Sequence, residues 1–257
     1  MSKRISSANP RHKRQSQPRP KAKKPNNQRI LVISDLHCPY EHPDTVAFLK
    51  AVKKKYKPTR VILSGDEVDY HAISFHDSDP DLDSSGPELH KARFSLKPIY
   101  KLFPVAEVLE SNHGSLVIRK AVANGMSREF FKSPGEILGA PKGWSWHFEI
   151  MATLPNGSEC YFHHSKGVNS KKNSQAMGCS FVQGHHHEEF SIQYWGNPNA
   201  LLFGMTVGCL VDNKSLALAY NKNNLKRPVI GLGVIIDSIP QLVPMVLGRD
   251  GRWVGKL

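Results

Sequence analysis

From residue 29 onward the sequence predicts an α/β fold: a parallel sheet in the first half, a largely antiparallel sheet packed against it in the second, and helices outside. Three observations predict it. Short apolar, β-branched-rich runs alternate with helix-spaced stretches as far as Leu109. Beyond Cys160, β-prone runs follow one another with Gly, Pro and Asn between them and little helical pattern. Before residue 29 there is almost nothing apolar to pack.

Residues 1–28 hold nine basic residues (Lys3, Arg4, Arg11, Lys13, Arg14, Arg19, Lys21, Lys23 and Lys24), four prolines and no Asp or Glu. Such a segment buries too little surface to offset its ordering entropy, so it is expected to be a disordered basic tail. Ile30 to Ile33 is the first buried strand, ending in Ser34-Asp35. Val46, Leu49 and Val52 then recur at helix spacing, with Lys50, Lys53 and Lys54 on the other faces. Val61 to Leu63, ending in Ser64-Gly65-Asp66, is the second strand. Glu88 to Phe103 is partly helical, and Val105 to Leu109 is a third strand ending before Asn112-His113. Strand, helix, strand, helix, strand is the pattern of a parallel sheet with both faces covered. The later strand candidates are Cys160–Phe162, Phe181–Gln183, Ser191–Tyr194, Leu201–Val207, Leu216–Tyr220, Val229–Ile236 and Leu242–Leu247.

Composition narrows the function classes. With 257 residues and 39% hydrophobic content the chain can form one substantial core. No apolar run approaches the roughly 20 residues of a membrane span. The charged N-terminus has no apolar stretch behind it, so no secretory signal is visible and a soluble, cytoplasmic protein is expected. Cys38, Cys160, Cys179 and Cys209 are scattered singly, as in a reduced protein without a disulfide framework. The net charge is +13, of which the tail supplies nine and the remainder four.

Every strand of the first half ends in residues able to bind metal, and the later histidines also follow apolar runs. The set is Asp35, His37, Asp66, Asp69, Asn112, His113, His164, His185 and His187. In open α/β sheets such groups gather at the carboxyl ends of strands, so these nine are expected to share one crevice. Any of them alone is as readily a loop cap.

The ordered set resembles the calcineurin-like metallophosphoesterases, whose signature is D-x-H, G-D-x-x-D, G-N-H-E/D, a lone His usually followed by Gly, and G-H-x-H. Here these are Asp35-Leu36-His37, Gly65-Asp66-Glu67-Val68-Asp69, Ser111-Asn112-His113-Gly114, His164-Ser165 and Gly184-His185-His186-His187. The resemblance covers about residues 29 to 190 and implies a two-sheet metallophosphoesterase sandwich flanked by helices. It implies hydrolysis of phosphate esters with two divalent ions. Asp35, His37, Asp66 and His187 are implied for one ion, and Asp66, Asn112, His164 and His185 for the other. His113 is implied as general acid or transition-state cation, with Asp69 orienting its imidazole. Imidazole, carboxylate and amide ligands without a thiolate suit Mn²⁺ first, with Fe or Zn²⁺ also fitting. The chain also looks like small phosphoesterases of tailed phages, which would place it in the host cytoplasm.

Three positions depart from the signature. Ser111 stands for Gly, Gly114 for the acidic residue, and Ser165 for Gly. His163 competes with His164 for the lone-His role.

Blander readings fit other residues. His71, His76 and His90 read as surface histidines, His186 as a solvated one, and Asp77, Asp79, Asp81 and Asp83 as a solvated loop. Trp144 and Trp146 fit core or sheet-edge packing better than base stacking. Arg119 and Lys120 fit a helix surface or a phosphate site equally. The tail's nine cations suit sequence-independent contact with nucleic acid, so a nuclease is expected, with a phosphomonoesterase and a catalytically silent binding module as alternatives.

Overall fold

The structure, a computed structural model, describes residues 27–75, 81–212, 214–215 and 227–257. Residues 1–26 of the expected disordered tail, His76, Asp77, Asp79 and the strand expected at Leu216–Tyr220 lie outside the described residues. The elements are β1 (Arg29–Ile33), α1 (Thr45–Tyr56), β2 (Arg60–Leu63), α2 (Ser85–Leu102), β3 (Val105–Leu109), α3 (Leu116–Ala123), α4 (Pro134–Leu138), β4 (Gly143–His147), β5 (Ile150–Thr153) and β6 (Glu159–Phe162). They continue with α5 (Ser170–Met177), β7 (Ser180–Gln183), β8 (Phe190–Gly196), β9 (Leu201–Val207), β10 (Gly231–Ile236) and β11 (Ile239–Pro244). No helix among the described residues is long and apolar enough to cross a membrane.

Two sheets face each other. The first has the order β11-β10-β1-β2-β3-β4 and the second β5-β6-β7-β9-β8. Because successive side chains of a strand point to opposite faces, β1 serves two cores at once. Leu31 and Ile33 pack with Phe48, Leu49 and Val52 of α1 and Leu96 and Ile99 of α2. Ile30 and Val32 pack with Phe162, Val182, Phe203 and Met205 of the opposite sheet. A fully buried side chain of this size is worth about 1.5–3 kcal/mol over its exposed form. That is why β1 reads as an unbroken apolar run.

Two expectations need correction. The runs around Val229–Ile236 and Leu242–Leu247 do not join the second sheet. Instead β10 lies antiparallel to β1, with Arg29 opposite Ile236, and β11 lies antiparallel to β10. Nor is the second sheet largely antiparallel, since β6 with β7 and β7 with β9 are parallel pairs. A parallel pair needs a crossover, and α5 supplies it between β6 and β7. Its sequence, SKKNSQAM, has no apolar stripe, and its buried residues are Ser170 and Ser174.

The two tryptophans lie on β4, the edge strand. Trp144 is buried and donates to the Phe103 carbonyl at 2.8 Å, while the half-buried Trp146 donates to Glu67 Oε1 at 3.0 Å. All four cysteines are free and buried.

Candidate metal centre

Five strands deliver the predicted residues to one end of the sandwich. Asp35 and His37 follow β1, Asp66 and Asp69 follow β2, and Asn112 and His113 follow β3. His164 follows β6 of the second sheet, and His185 and His187 follow β7. The first two loops are stitched together by His37 N–H to the Asp66 carbonyl at 2.8 Å, Cys38 N–H to the Glu67 carbonyl at 3.2 Å, and Asp69 N–H to the Cys38 carbonyl at 3.1 Å.

The backbone is strained where these loops turn. Asp35, His37, Asp66 and His185 all have positive φ (26°, 48°, 47° and 67°). Residues other than glycine held there cost about 1–3 kcal/mol each and persist only where the surroundings impose them. Two glycines are fixed by space. A Cβ on Gly65 would lie 2.7 Å from His164 Nδ1, and one on Gly184 would lie 2.7 Å from Asp35 Oδ1 and 2.4 Å from Ser64 Oγ.

Asp66 is central and almost fully buried. Its Oδ1 accepts the His113 N–H at 3.0 Å, and its Oδ2 lies 3.3 Å from His164 Nε2 and 3.6 Å from His37 Nε2. Asp35 Oδ2 accepts the His185 N–H at 2.6 Å and lies 3.4 Å from His187 Nε2. Asn112 Oδ1 lies 2.7 Å from His164 Nε2.

Hydrogen bonds on the outer ring nitrogens fix which nitrogen faces inward. His164 Nδ1 donates to the Ser64 carbonyl at 2.8 Å, and His37 Nδ1 lies 2.6 Å from Asp69 Oδ1. Both Nε2 atoms are therefore directed at the Asp66 carboxylate side of the cleft. Asp69 thus orients His37 through its carboxylate, a role the sequence did not suggest. It holds His113 through its backbone carbonyl, which accepts from His113 Nδ1 at 2.5 Å.

Charge follows this geometry. Burial pushes the Asp66 carboxyl up, but His164, His113 and His37 outweigh it and hold the group well below the usual carboxylate range. Burial likewise opposes ionisation of Asp35, and the bond to His187 with the nearby His164 still lowers it. In His164, burial is overcome by Asp66 and Asp35, which hold the imidazolium up to about 9. Burial also disfavours charge on His187, yet its bond to Asp35 raises it. His185 is lowered, by burial and by His164.

Donor atoms of Asp66, His164 and His185 lie within 4.8 Å of one another, as do those of His37, Asp69 and His113. The second trio is held together by hydrogen bonds through the outer nitrogens, so it positions His37 rather than enclosing an ion. The fit to a cation is tested by two buried atoms, Asp35 Oδ1 and His37 Nε2, which have no hydrogen-bond partner. Buried polar atoms are rarely left so, and a divalent ion beside Asp66 would satisfy the His37 nitrogen, which lies 3.6 Å from Asp66 Oδ2. The chain's own residues fit the group.

Neighbouring residues sort themselves by the same geometry. His164, not His163, faces Asp66 and Asn112, while His163 lies edge-on to Phe148 at 5.2 Å between centroids. His71, expected on the surface, is partly buried, with Nδ1 3.9 Å from Asp69 Oδ2. His186, expected in solvent, packs edge-on against His185 at 4.9 Å. His90 is exposed. Asp81 and Asp83 lie beside α2, where Asp83 pairs with Lys91 at 2.6 Å. Arg119 donates to the Asn112 carbonyl at 3.2 Å and, with Lys120, lies against the exposed Phe75 ring. Sequence reading noted Ser111 only as a departure from the signature and missed its role: its hydroxyl accepts from both Asp66 N–H (2.9 Å) and Gly114 N–H (3.1 Å). It also missed Glu88, which accepts from His71 N–H and Ala72 N–H and pins the loop after Asp69. A small hydroxyl next to a motif carries no signal of its own in sequence.

No curated protein matches this sequence. Among solved structures the chain is similar to Vps29 of Chaetomium thermophilum, at 10% identity and a TM-score of 0.46, covering 88% of this chain and 92% of that one. Zinc-bound Vps29 of Entamoeba histolytica is 11% identical with a TM-score of 0.41, covering 84% and 89%. The Pseudomonas putida nuclease MPE is 11% identical with a TM-score of 0.31, covering 84% and 86%. Residues 28–205 match the calcineurin-like phosphoesterase family, more than half of the chain and the whole stretch from β1 to β9 that carries the cluster. The chain belongs to that family.

Proposed function

We propose that this protein is a dinuclear-metal-dependent phosphoesterase that hydrolyses phosphodiesters of nucleic acid. The observation that carries the reading is the buried donor cluster of Asp66, His164 and His185, beside which His37 Nε2 lies 3.6 Å from Asp66 Oδ2 without a hydrogen-bond partner. Asp35, His37, Asp66 and His187 would hold one ion and Asp66, Asn112, His164 and His185 the other. Bound there, such ions would supply Lewis-acid chemistry, polarising the phosphoryl group and lowering the pKa of a bound water. Nitrogen and oxygen donors without thiolate favour Mn²⁺, with Fe and Zn²⁺ as the alternatives.

The remaining steps belong to side chains. The Asp69 carbonyl can only accept, so His113 Nδ1 carries a hydrogen and Nε2 is the atom that exchanges a proton. As an imidazolium, His113 would deliver the Nε2 proton to the departing oxygen. Asp66 Oδ1, by accepting the His113 N–H, sets that residue's backbone relative to the centre.

Nucleic acid is favoured over a small ester by charge. Arg119 and Lys120 border the Asn112-His113 loop without a carboxylate partner within ion-pair distance among the described residues. The tail adds nine cations and no anion. Mn²⁺-loaded protein should cleave bis(4-nitrophenyl) phosphate and plasmid DNA faster than 4-nitrophenyl phosphate. Preference for the monoester would replace the nuclease by a phosphomonoesterase. Retained DNA binding without any hydrolysis would leave a binding module. Deleting residues 1–28 should weaken DNA binding and flatten the dependence of its logarithm on log salt, by about 0.9 for each phosphate that the tail neutralises.

A further inference from the structure

Next to Asp66 lies a second acid that the chemistry above does not use. Glu67 is 1% exposed, its Oε1 accepts from Trp146 Nε1 at 3.0 Å, and its Oε2 is buried without a partner. A buried carboxyl oxygen left without a partner is costly, so Glu67 is not there for burial alone. The carboxyl lies against the turn that carries Asn112 and His113. A Cβ built on Gly114 would be 3.5 and 3.6 Å from the two Glu67 oxygens and 2.9 Å from Ser111 Oγ. A side chain at position 114 would therefore collide with the Ser111 hydroxyl and come into van der Waals contact with the Glu67 carboxyl.

Two of the departures noted in the sequence, Ser111 and Gly114, thus meet at one point, with Glu67 as the third member. The Ser111 hydroxyl ties the turn to the Asp66 N–H. Glu67 reaches the same turn from the β2 loop and is anchored on β4 through Trp146. Gly114, lacking a side chain, lets both approach.

We propose that Glu67 is a positioning residue of the metal centre: its carboxyl replaces, from the opposite wall, an acidic side chain at position 114. With Ser111 it holds Asn112 and His113 against the Asp66 loop. The proposal rests on the reading of the cluster as a metal centre. It has a consequence that simple structural filling lacks: an acid at 67 with Ser at 111, and an acid at 114 with Gly at 111, are interchangeable arrangements that exclude one another.

Mn²⁺ binding to the full-length protein by calorimetry, with melting temperature in EDTA as a control for folding, tests this. Wild-type protein that binds no Mn²⁺ would sink the metal-centre reading itself, which separates the two failures. Given wild-type binding, Glu67→Ala should weaken Mn²⁺ affinity by about 10–100-fold, the usual cost of losing a group that orients ligands. Glu67→Gln, which can still accept from Trp146, should recover most of it. Gly114→Glu alone should weaken binding, because its side chain meets both Ser111 and Glu67. The triple variant Glu67→Ala, Ser111→Gly, Gly114→Glu should bind more tightly than Glu67→Ala. The proposal is overturned by unchanged affinity in Glu67→Ala. A triple variant that melts like Glu67→Ala yet binds no better overturns it too. If Glu67→Ala fails to fold, Glu67→Gln against Gly114→Glu gives the decision: equal affinities overturn the proposal.

Discussion

Asp66→Asn in metal-free protein isolates the electrostatic logic of the centre. Asparagine keeps the shape and can still accept from the His113 N–H. It removes the charge that faces His164 Nε2 at 3.3 Å and His37 Nε2 at 3.6 Å. Burial alone would push the His164 pKa down, but Asp66, aided by Asp35 and the Ser64 carbonyl, holds it up to about 9 against an ordinary 6.5. The folded value lies above the unfolded one. The stabilisation is therefore complete below the unfolded value and is lost as pH rises through the folded one. At about 1.4 kcal/mol per pH unit the gap corresponds to roughly 3 kcal/mol, most of it carried by Asp66. In a chain of this size that is a fall in Tm of roughly 6–12 °C. Guanidinium unfolding of both proteins in EDTA should show that cost at pH 6 and little or none at pH 10. Equal costs at the two pH values would refute the claim that Asp66 stabilises the fold through a charged His164.

Three further outcomes follow from the same geometry. Asp69→Ala removes the acceptor of His37 Nδ1, so Mn²⁺ affinity measured by calorimetry should fall by about 10–100-fold, and an unchanged affinity would show that His37 needs no such anchor. Gly184→Ala keeps every ligand but drives a methyl to within 2.7 Å of Asp35 Oδ1. Overpacking of that kind costs about 1–3 kcal/mol, and Mn²⁺ binding should weaken while the circular dichroism spectrum stays that of the wild type. His113→Ala should lower kcat on a diester by about 10²–10⁴ if it supplies the proton, with Mn²⁺ affinity retained. A kcat that survives would move that role to another group.

Local patterning made much of this molecule legible. β1, β2 and β3 announce themselves because strands buried on both faces are continuous apolar runs, and the polar residues that end them stand out against that background. Each motif sits at such a boundary, so the order of the motifs is legible along the chain. What the sequence left open was pairing between distant segments. Nothing in the periodicity of Gly231–Ile236 says that it lies beside Arg29–Ile33, since both faces of both strands are apolar. The crossover helix α5 went unread because it packs through Ser170 and Ser174 instead of an apolar stripe, and without it the parallel pairing of β6 and β7 had no visible cause.

The sequence by itself determined the polar residues that end the strands, the basic tail composition and the α/β character, because each is written in residue type and short-range spacing. Only the tertiary structure decided that Asp69 anchors His37 with its side chain and His113 with its backbone. It also decided that Ser111 ties two loops together and that the Glu67 carboxyl lies beside Gly114. These contacts join residues that are 32 to 47 positions apart. They are set by how loops from separate strands meet, and no local pattern encodes that meeting.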